Sequence, residues 1–215
     1  MRYAFVSGAS GGVGLEVARQ LRDAGWQVTA HYRTQPGELD GVTWWQADLC
    51  ADYTTPACTH LDALVHCAGV ATLGRVADAP PEDWLTAMAV NLHAPVALTN
   101  RLLPALRSAA GHVVYLNSGA GLRANPNWGA YAASKFAARA WCDALRAEEP
   151  SIRVTSIHPG RIDTPMQHRV VEQEQGEYDA SAYLRPSTVA AAVVHALTTP
   201  DDCEPTEVIL RPRTH

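Results

Sequence analysis

Tyr131 and Lys135 stand four residues apart in the run Gly129-Ala-Tyr-Ala-Ala-Ser-Lys-Phe. An Ala-rich stretch favours helix, and residues at i and i+4 share a face, so the phenol and the ammonium project together. A neighbouring cation favours the phenolate and pulls down a pKa that is about 10 in water. Such a pair can give and take a proton near neutral pH. A Tyr and a Lys on one face of a surface helix are usually just solvated, so the pair gains meaning only from what else the chain carries.

Near the N-terminus stands Ser7-Gly-Ala-Ser-Gly-Gly-Val-Gly14. It follows the apolar run Tyr3-Ala-Phe-Val-Ser7, suited to a buried parallel strand, and precedes Val13 to Ala24, where Val13, Val17, Leu21 and Ala24 repeat at helical spacing. Strand, glycine loop and helix N-terminus together make an anion site, because free backbone N–H groups and the helix dipole point at a phosphate. Gly8, Gly12 and Gly14 permit the tight turn and the close approach of a nucleotide.

These features, in this order, resemble the short-chain dehydrogenase/reductase family over nearly the whole chain. The family's Thr-Gly-x-x-x-Gly-x-Gly is met by Gly8, Gly12 and Gly14, with Ser7 for Thr, and its Tyr-x-x-x-Lys by Tyr131 and Lys135. Its serine, thirteen residues before the tyrosine, corresponds to Ser118 at the end of His112-Val-Val-Tyr-Leu-Asn-Ser. Its Asn-Asn-Ala-Gly appears as His66-Cys67-Ala68-Gly69, its helix asparagine as Asn91, and its Pro-Gly as Pro159-Gly160, followed by Thr164. The resemblance implies a hydride transfer between NADP(H) and a carbonyl or alcohol. Tyr131 would be the general acid/base, Lys135 would lower its pKa and bind the nicotinamide ribose, and Ser118 would hold the substrate oxygen. Asn91 would anchor a water linking Lys135 to solvent. Cofactor contacts are implied at Gly8, Ser10, Gly12, Val13, Gly14, Asp48, Leu49, Ala68 and Gly69. They continue at Tyr131, Lys135, Pro159, Gly160, Ile162 and Thr164. The reaction requires no metal, and the nine histidines form no ligand-like cluster. His66 and His158 suit packing and backbone hydrogen bonding.

Cofactor choice turns on the end of the second strand. NAD-preferring relatives carry a carboxylate where this chain has Tyr32, and Arg33 follows it. A carboxylate would repel a 2′-phosphate, whereas a guanidinium holds one with charge-assisted, often bidentate bonds. Thr34 and Ser10 add hydroxyl contacts, and NADP(H) is expected over NAD(H).

The elements that must position these residues alternate as a doubly wound sheet requires. Strands are expected at Gln27–Tyr32, Thr43–Gln46, Ala63–Cys67, His112–Leu116, Arg153–His158 and Glu207–Leu210, and a long helical region from Pro81 to Ala109, interrupted at Pro95 and Pro104. Trp128–Glu148 would be the helix bearing Tyr131, and Ser187–Thr198 the last helix, with Ser187 as N-cap. The expected fold is α/β: a Rossmann-like doubly wound parallel sheet of about seven strands flanked by helices, one domain over residues 1–215. The glycine loop, Ala68-Gly69, Ser118 and Pro159 to Thr164 all follow C-terminal strand ends, where such sheets form their ligand crevice.

Composition agrees. A chain of 215 residues with 47% hydrophobic residues can bury one core, and 18% charged residues with a net charge of −5 give no reason to expect nucleic acid or an anionic membrane as partner. Five cysteines without Cys-x-x-Cys spacing suggest reduced, mostly buried thiols and a cytoplasmic protein. No run approaches membrane-spanning length, and a strand so near the N-terminus leaves no room for a signal peptide. The resemblance implies a homodimer or homotetramer, paired through the helices Pro81–Ala109 and Trp128–Glu148, the latter carrying Phe136, Trp141 and Leu145. His66-Cys67 in place of Asn-Asn means that the fourth strand must be tied to its neighbours differently. The polar segment Met166 to Leu184 is expected beside the substrate, and Leu122, Arg123 and Trp128 are candidates for the pocket wall. Two function classes stand: the oxidoreductase, and a nucleotide-binding regulator or scaffold without turnover, whose usual sign is loss of the tyrosine or lysine.

Overall fold

Short apolar runs without alternating polar positions call for strands covered on both faces. The computed structural model, which describes residues 1–213, pairs seven of them in one sheet. They are β1 (Tyr3–Ser7), β2 (Gln27–Tyr32), β3 (Thr43–Gln46), β4 (Ala63–His66), β5 (His112–Leu116), β6 (Arg153–Pro159) and β7 (Glu207–Leu210). The order is β3-β2-β1-β4-β5-β6-β7, and every pairing is parallel. Central β4 is buried at all four positions, whereas β3 and β7 at the edges are half open. Chain order reverses between β1 and β4, so the crevice of the fold opens at their C-terminal ends.

Helices cover both faces. On one, α1 (Gly12–Asp23) and α6 (Pro186–Leu197) pack Val13, Val17, Leu21, Val189 and Val193 against Val6, Val28 and Val65. On the other, α3 (Ala94–Ala109) and α4 (Gly129–Glu148) pack Leu98, Leu102, Leu106, Ala138 and Cys142 against Phe5, Leu64 and Val113. α2 (Pro81–Met88) leads into a π-helical turn, Ala89–His93, and α5 (Pro165–Gln173) follows β6. Among the described residues no helix is long and apolar enough to cross a membrane.

Several expectations are corrected. Pro104 does not interrupt α3: it stands on the exposed face, so the carbonyl it deprives of a donor, that of exposed Asn100, faces water. Ser187 lies inside α6, which Arg185 caps ahead of Pro186 at the first helical position. Cys50, Cys58 and Cys203 are exposed, and only Cys142 is buried. Leu145 and Trp141 pack into this chain's own core, which leaves Phe136 as the exposed aromatic of α4.

Candidate active site

The glycine loop joins β1 to α1 in a space that admits no side chain. A Cβ on Gly14 would lie 2.2 Å from the Gly8 carbonyl oxygen, and one on Gly8, whose φ is +65°, would lie 2.6 Å from Ala68 Cα. The first contact is the first turn of α1 against the loop that follows β1, the second loop against loop, and together they fix the course of the loop backbone. Ser7 ties the loop to β4: its hydroxyl accepts from the N–H groups of Cys67 (3.2 Å) and Ala68 (3.3 Å). His66 in turn bonds Thr99 Oγ1 at 2.9 Å, and burial draws its pKa down to about 3. These bonds tie the end of β4 to β1 and to α3. Buried His31 braces the loop from β2: Gly8 N–H donates to its Nδ1 at 3.0 Å, which leaves its Nε2–H to donate to the Ala47 carbonyl at 3.1 Å. Acceptance at Nδ1 requires a neutral imidazole, and burial lowers its pKa accordingly, against the opposing pull of the Ala47 carbonyl.

Ser118 stands at the C-terminal end of β5, where it caps the 3₁₀ turn Gly119–Gly121. Its Oγ accepts from Ala120 N–H at 3.1 Å and keeps its own hydrogen to donate. Two buried side chains fix its backbone. Asn117 Oδ1 accepts from Ser118 N–H at 2.8 Å while its Nδ2 donates to the Lys135 carbonyl at 3.2 Å, and His158 Nδ1 bonds the Ser118 carbonyl at 3.1 Å. Tyr131, on the first turns of α4, is 8% exposed and packs edge-on to Trp128 with ring centroids 5.5 Å apart. Burial pushes its phenol pKa up, and hydrogen bonding with Ser118 opposes this.

Lys135 is 4% exposed, and its Nζ donates to the Leu116 carbonyl at 3.0 Å and to Tyr115 Oη at 3.1 Å. It lies 5.8 Å from the Tyr131 ring centroid. The expected lowering of the Tyr131 pKa by Lys135 is therefore not what the protein alone displays: desolvation dominates, and the ammonium is hydrogen-bonded elsewhere. Asn91, in the π turn, is wholly buried; its side chain bonds both backbone groups of Val70 (2.9 and 3.0 Å) and Ser134 Oγ (3.0 Å). Its backbone carbonyl accepts from the Tyr115 hydroxyl at 2.5 Å.

Two cavities meet along these residues. One, of about 620 Å³, is lined by Ser118, Tyr131, Lys135, Pro159 and Gly160, with Arg123, Trp128, Gln167 and Arg211 farther out. The other, of about 540 Å³, is lined by Gly8, Ser10, Gly12, Val13 and Gly14, by Arg33 and Thr34, and by Asp48 and Leu49. Ala68, Gly69, Ile162 and Thr164 belong to both, which makes one continuous groove. Asn91 alone of the expected site residues lies outside it, behind the wall. Leu122 does not line it. Asn117, Tyr115 and His31 went unnoticed because each is a polar residue inside an apolar strand run, where only the polarity itself is a signal. Arg169, assigned to the substrate segment, lines the glycine-loop cavity. Glu174 holds Arg161 with two bonds of 2.7 Å, and Tyr178 stacks on His168 at 3.6 Å, so the segment after α5 is tied to the body. Among the described residues no group of His, Cys, Asp and Glu could hold a metal ion.

The profile described as short chain dehydrogenase matches residues 2–175. The chain belongs to the short-chain dehydrogenase/reductase family. An uncharacterized oxidoreductase of Staphylococcus epidermidis is 29% identical over 98% of this chain and 97% of its own length. An uncharacterized short-chain type dehydrogenase/reductase of Sinorhizobium fredii is 30% identical over 97% of this chain and 90% of its own. Among solved structures, a short chain dehydrogenase of Shigella flexneri complexed with NADP is 25% identical, with a TM-score of 0.83 and coverage of 99% and 97%. An alcohol dehydrogenase of Thermococcus sibiricus, 22% identical with a TM-score of 0.84 over 100% and 99% of the two chains, shares the fold. As a member of this family the chain is an oxidoreductase with a Rossmann-like parallel sheet.

Proposed function

We propose that this protein interconverts a carbonyl and an alcohol on a small molecule with NADP(H) as cofactor. The observation that carries the reading is that Ser118, Tyr131 and Lys135 line one cavity, and that this cavity runs into the one bounded by the glycine loop. The cradle fits a dinucleotide: Gly8, Ser10, Gly12 and Gly14 line their cavity with little side-chain bulk, and that cavity shares Ala68, Gly69, Ile162 and Thr164 with the one that holds Ser118 and Tyr131. When bound, the cofactor supplies the hydride. The chain's own residues do the rest. Ser118 donates its free hydroxyl hydrogen to the substrate oxygen, and Tyr131 gives that oxygen a proton or takes one from it. Lys135, held by Tyr115 and Leu116, keeps a third N–H for the ribose and raises the local positive potential. Asn91 holds Val70 and Ser134, and so fixes the wall behind Lys135. Arg33 sets the preference for a 2′-phosphate. Phe136 on α4 and Leu85 on α2, both exposed, are apolar surface for the homo-oligomer that belongs to this reading.

The test is titration of NADPH by fluorescence, followed by a panel of aldehydes, ketones, quinones and steroids. Binding followed by consumption with at least one carbonyl is expected. Tyr131→Phe keeps the ring against Trp128 but removes the proton, and turnover should fall by about two to four orders of magnitude, with cofactor affinity unchanged. Tight binding with no consumption across the panel would replace the enzyme by a nucleotide-binding regulator.

A further inference from the structure

Tyr115 is wholly buried near the C-terminal end of β5, against the rings of His66 (6.2 Å) and Trp141 (6.0 Å). Its hydroxyl has two partners, the Asn91 carbonyl and Lys135 Nζ. A carbonyl oxygen only accepts, so the single phenolic hydrogen goes to Asn91 and the lone pairs are left for the lysine. Pro95 is the reason that carbonyl is free. A helical carbonyl bonds the N–H four residues on, and the residue four on from Asn91 has none. The chain answers with the π turn at Ala89–His93 and with a phenol from the neighbouring strand. The same ring also turns a face to the ammonium, 4.7 Å from its centroid.

We infer that Tyr115 is a positioning residue for Lys135: its hydroxyl, locked as a donor to the carbonyl that Pro95 frees, is a fixed acceptor that keeps Lys135 an ammonium in a buried wall. The titratable groups facing Lys135 are Tyr131 and Cys142 from α4, His66 and Cys67 from the end of β4, Tyr115 from β5 and His158 from β6. None of these is a carboxylate. Burial draws the pKa of Lys135 down to about 7, so its charge near neutrality depends on two acceptors, Tyr115 Oη and the Leu116 carbonyl. Only the first can be removed by mutation. The inference rests on the proposed function for why that charge matters, but its measurement needs no turnover.

Lys135 is the only lysine in the sequence. Protein grown with ¹³C,¹⁵N-lysine therefore gives one side-chain Cε and Nζ signal, which follows one ammonium through a pH titration. Tyr115→Phe keeps the ring and its face and removes the acceptor, and the midpoint should move down by about one pH unit, the size of one hydrogen bond to a charged group. Unfolding would move it the other way, toward the solvated lysine value of about 10.4. Pro95→Ala returns an N–H to compete for the Asn91 carbonyl, releases the phenol, and should lower the midpoint by less. It decides the matter if Tyr115→Phe does not fold. A midpoint unchanged or raised in a folded Tyr115→Phe protein overturns the inference, as does an unchanged Pro95→Ala midpoint where that variant decides. Failure of every carbonyl to consume NADPH would sink the oxidoreductase reading and leave this shift to stand or fall by itself.

Discussion

The Arg33 guanidinium stands at the mouth of the glycine-loop cavity and makes no hydrogen bond or ion pair among the described residues. A cation with no partner among the described residues can take a 2′-phosphate. Its bonds to that group contribute about 1.5–3 kcal/mol, so Arg33→Ala should lower the ratio of kcat/KM for NADPH over NADH by tenfold or more. A wild type that prefers NADH, or a ratio that survives the substitution, would reject the assignment. That Arg33, Ser118, Tyr131 and the three glycines would line one groove was legible in the sequence, because each stands at or near the C-terminal end of a strand or in a motif of fixed spacing. Tyr115, Asn117 and His31 were not, since their partners are backbone groups 23 to 24 residues away for Tyr115 and His31, and 18 away for Asn117. Spacing along the chain carries no trace of such contacts. The same limit hid the true surroundings of Lys135: helical periodicity put it beside Tyr131, and the strand beneath supplied the nearer hydroxyl.

At the scale of elements, the strands were legible almost to the residue, because a buried parallel strand leaves an uninterrupted apolar run. What the sequence could not distinguish was a proline that breaks a helix from one that does not. Pro95 and Pro104 are alike in the chain, yet the first faces the core and forces a π turn, while the second stands where water takes over the lost bond. The junction between the glycine loop and α1 makes a similar distinction among glycines. Gly14 has the Gly8 carbonyl where a Cβ would go, whereas Gly11 has nothing within 4 Å and an extended φ of −176°. Gly14→Ala should therefore cost about 1–3 kcal/mol of stability by overpacking and weaken NADPH at least tenfold by shifting the cradle. Gly11→Ala should stay within about 0.5 kcal/mol of the wild type. Thermal melts and fluorescence titrations of the two variants side by side check the contrast; equal behaviour would mean the loop yields, and that contact between α1 and the loop does not shape the cradle.

Across the whole molecule, both faces of the sheet are braced by imidazoles that the fold keeps neutral. Burial draws His66 and His112 down to about 3, and lowers His31 and His158 as well. His112 shows why the state is fixed: Thr155 gives its hydroxyl hydrogen to the Pro205 carbonyl, so it can only accept from His112 Nε2–H, and Nδ1 is sealed without a partner. The native state cannot take up a proton at such a ring, but the unfolded chain can. The sign follows: above the unfolded value of 6.5 these groups cost nothing, and as pH falls below it the unfolded state gains protons that the native state refuses, until the ring itself titrates near 3. Each of His66 and His112 then removes about 1.4 kcal/mol of stability per pH unit. Between pH 7.5 and 5 the two together should lower the free energy of unfolding by about 4 kcal/mol, a large part of a typical total of about 5–15 kcal/mol. Urea unfolding at a series of pH values measures it. His112→Gln, which keeps a donor for Thr155 and removes one titrating ring, should roughly halve the slope contributed by this pair over that window. A stability curve flat down to pH 5 would mean that the rings take up protons in the native state, and that the wall behind Lys135 is more open than its burial indicates.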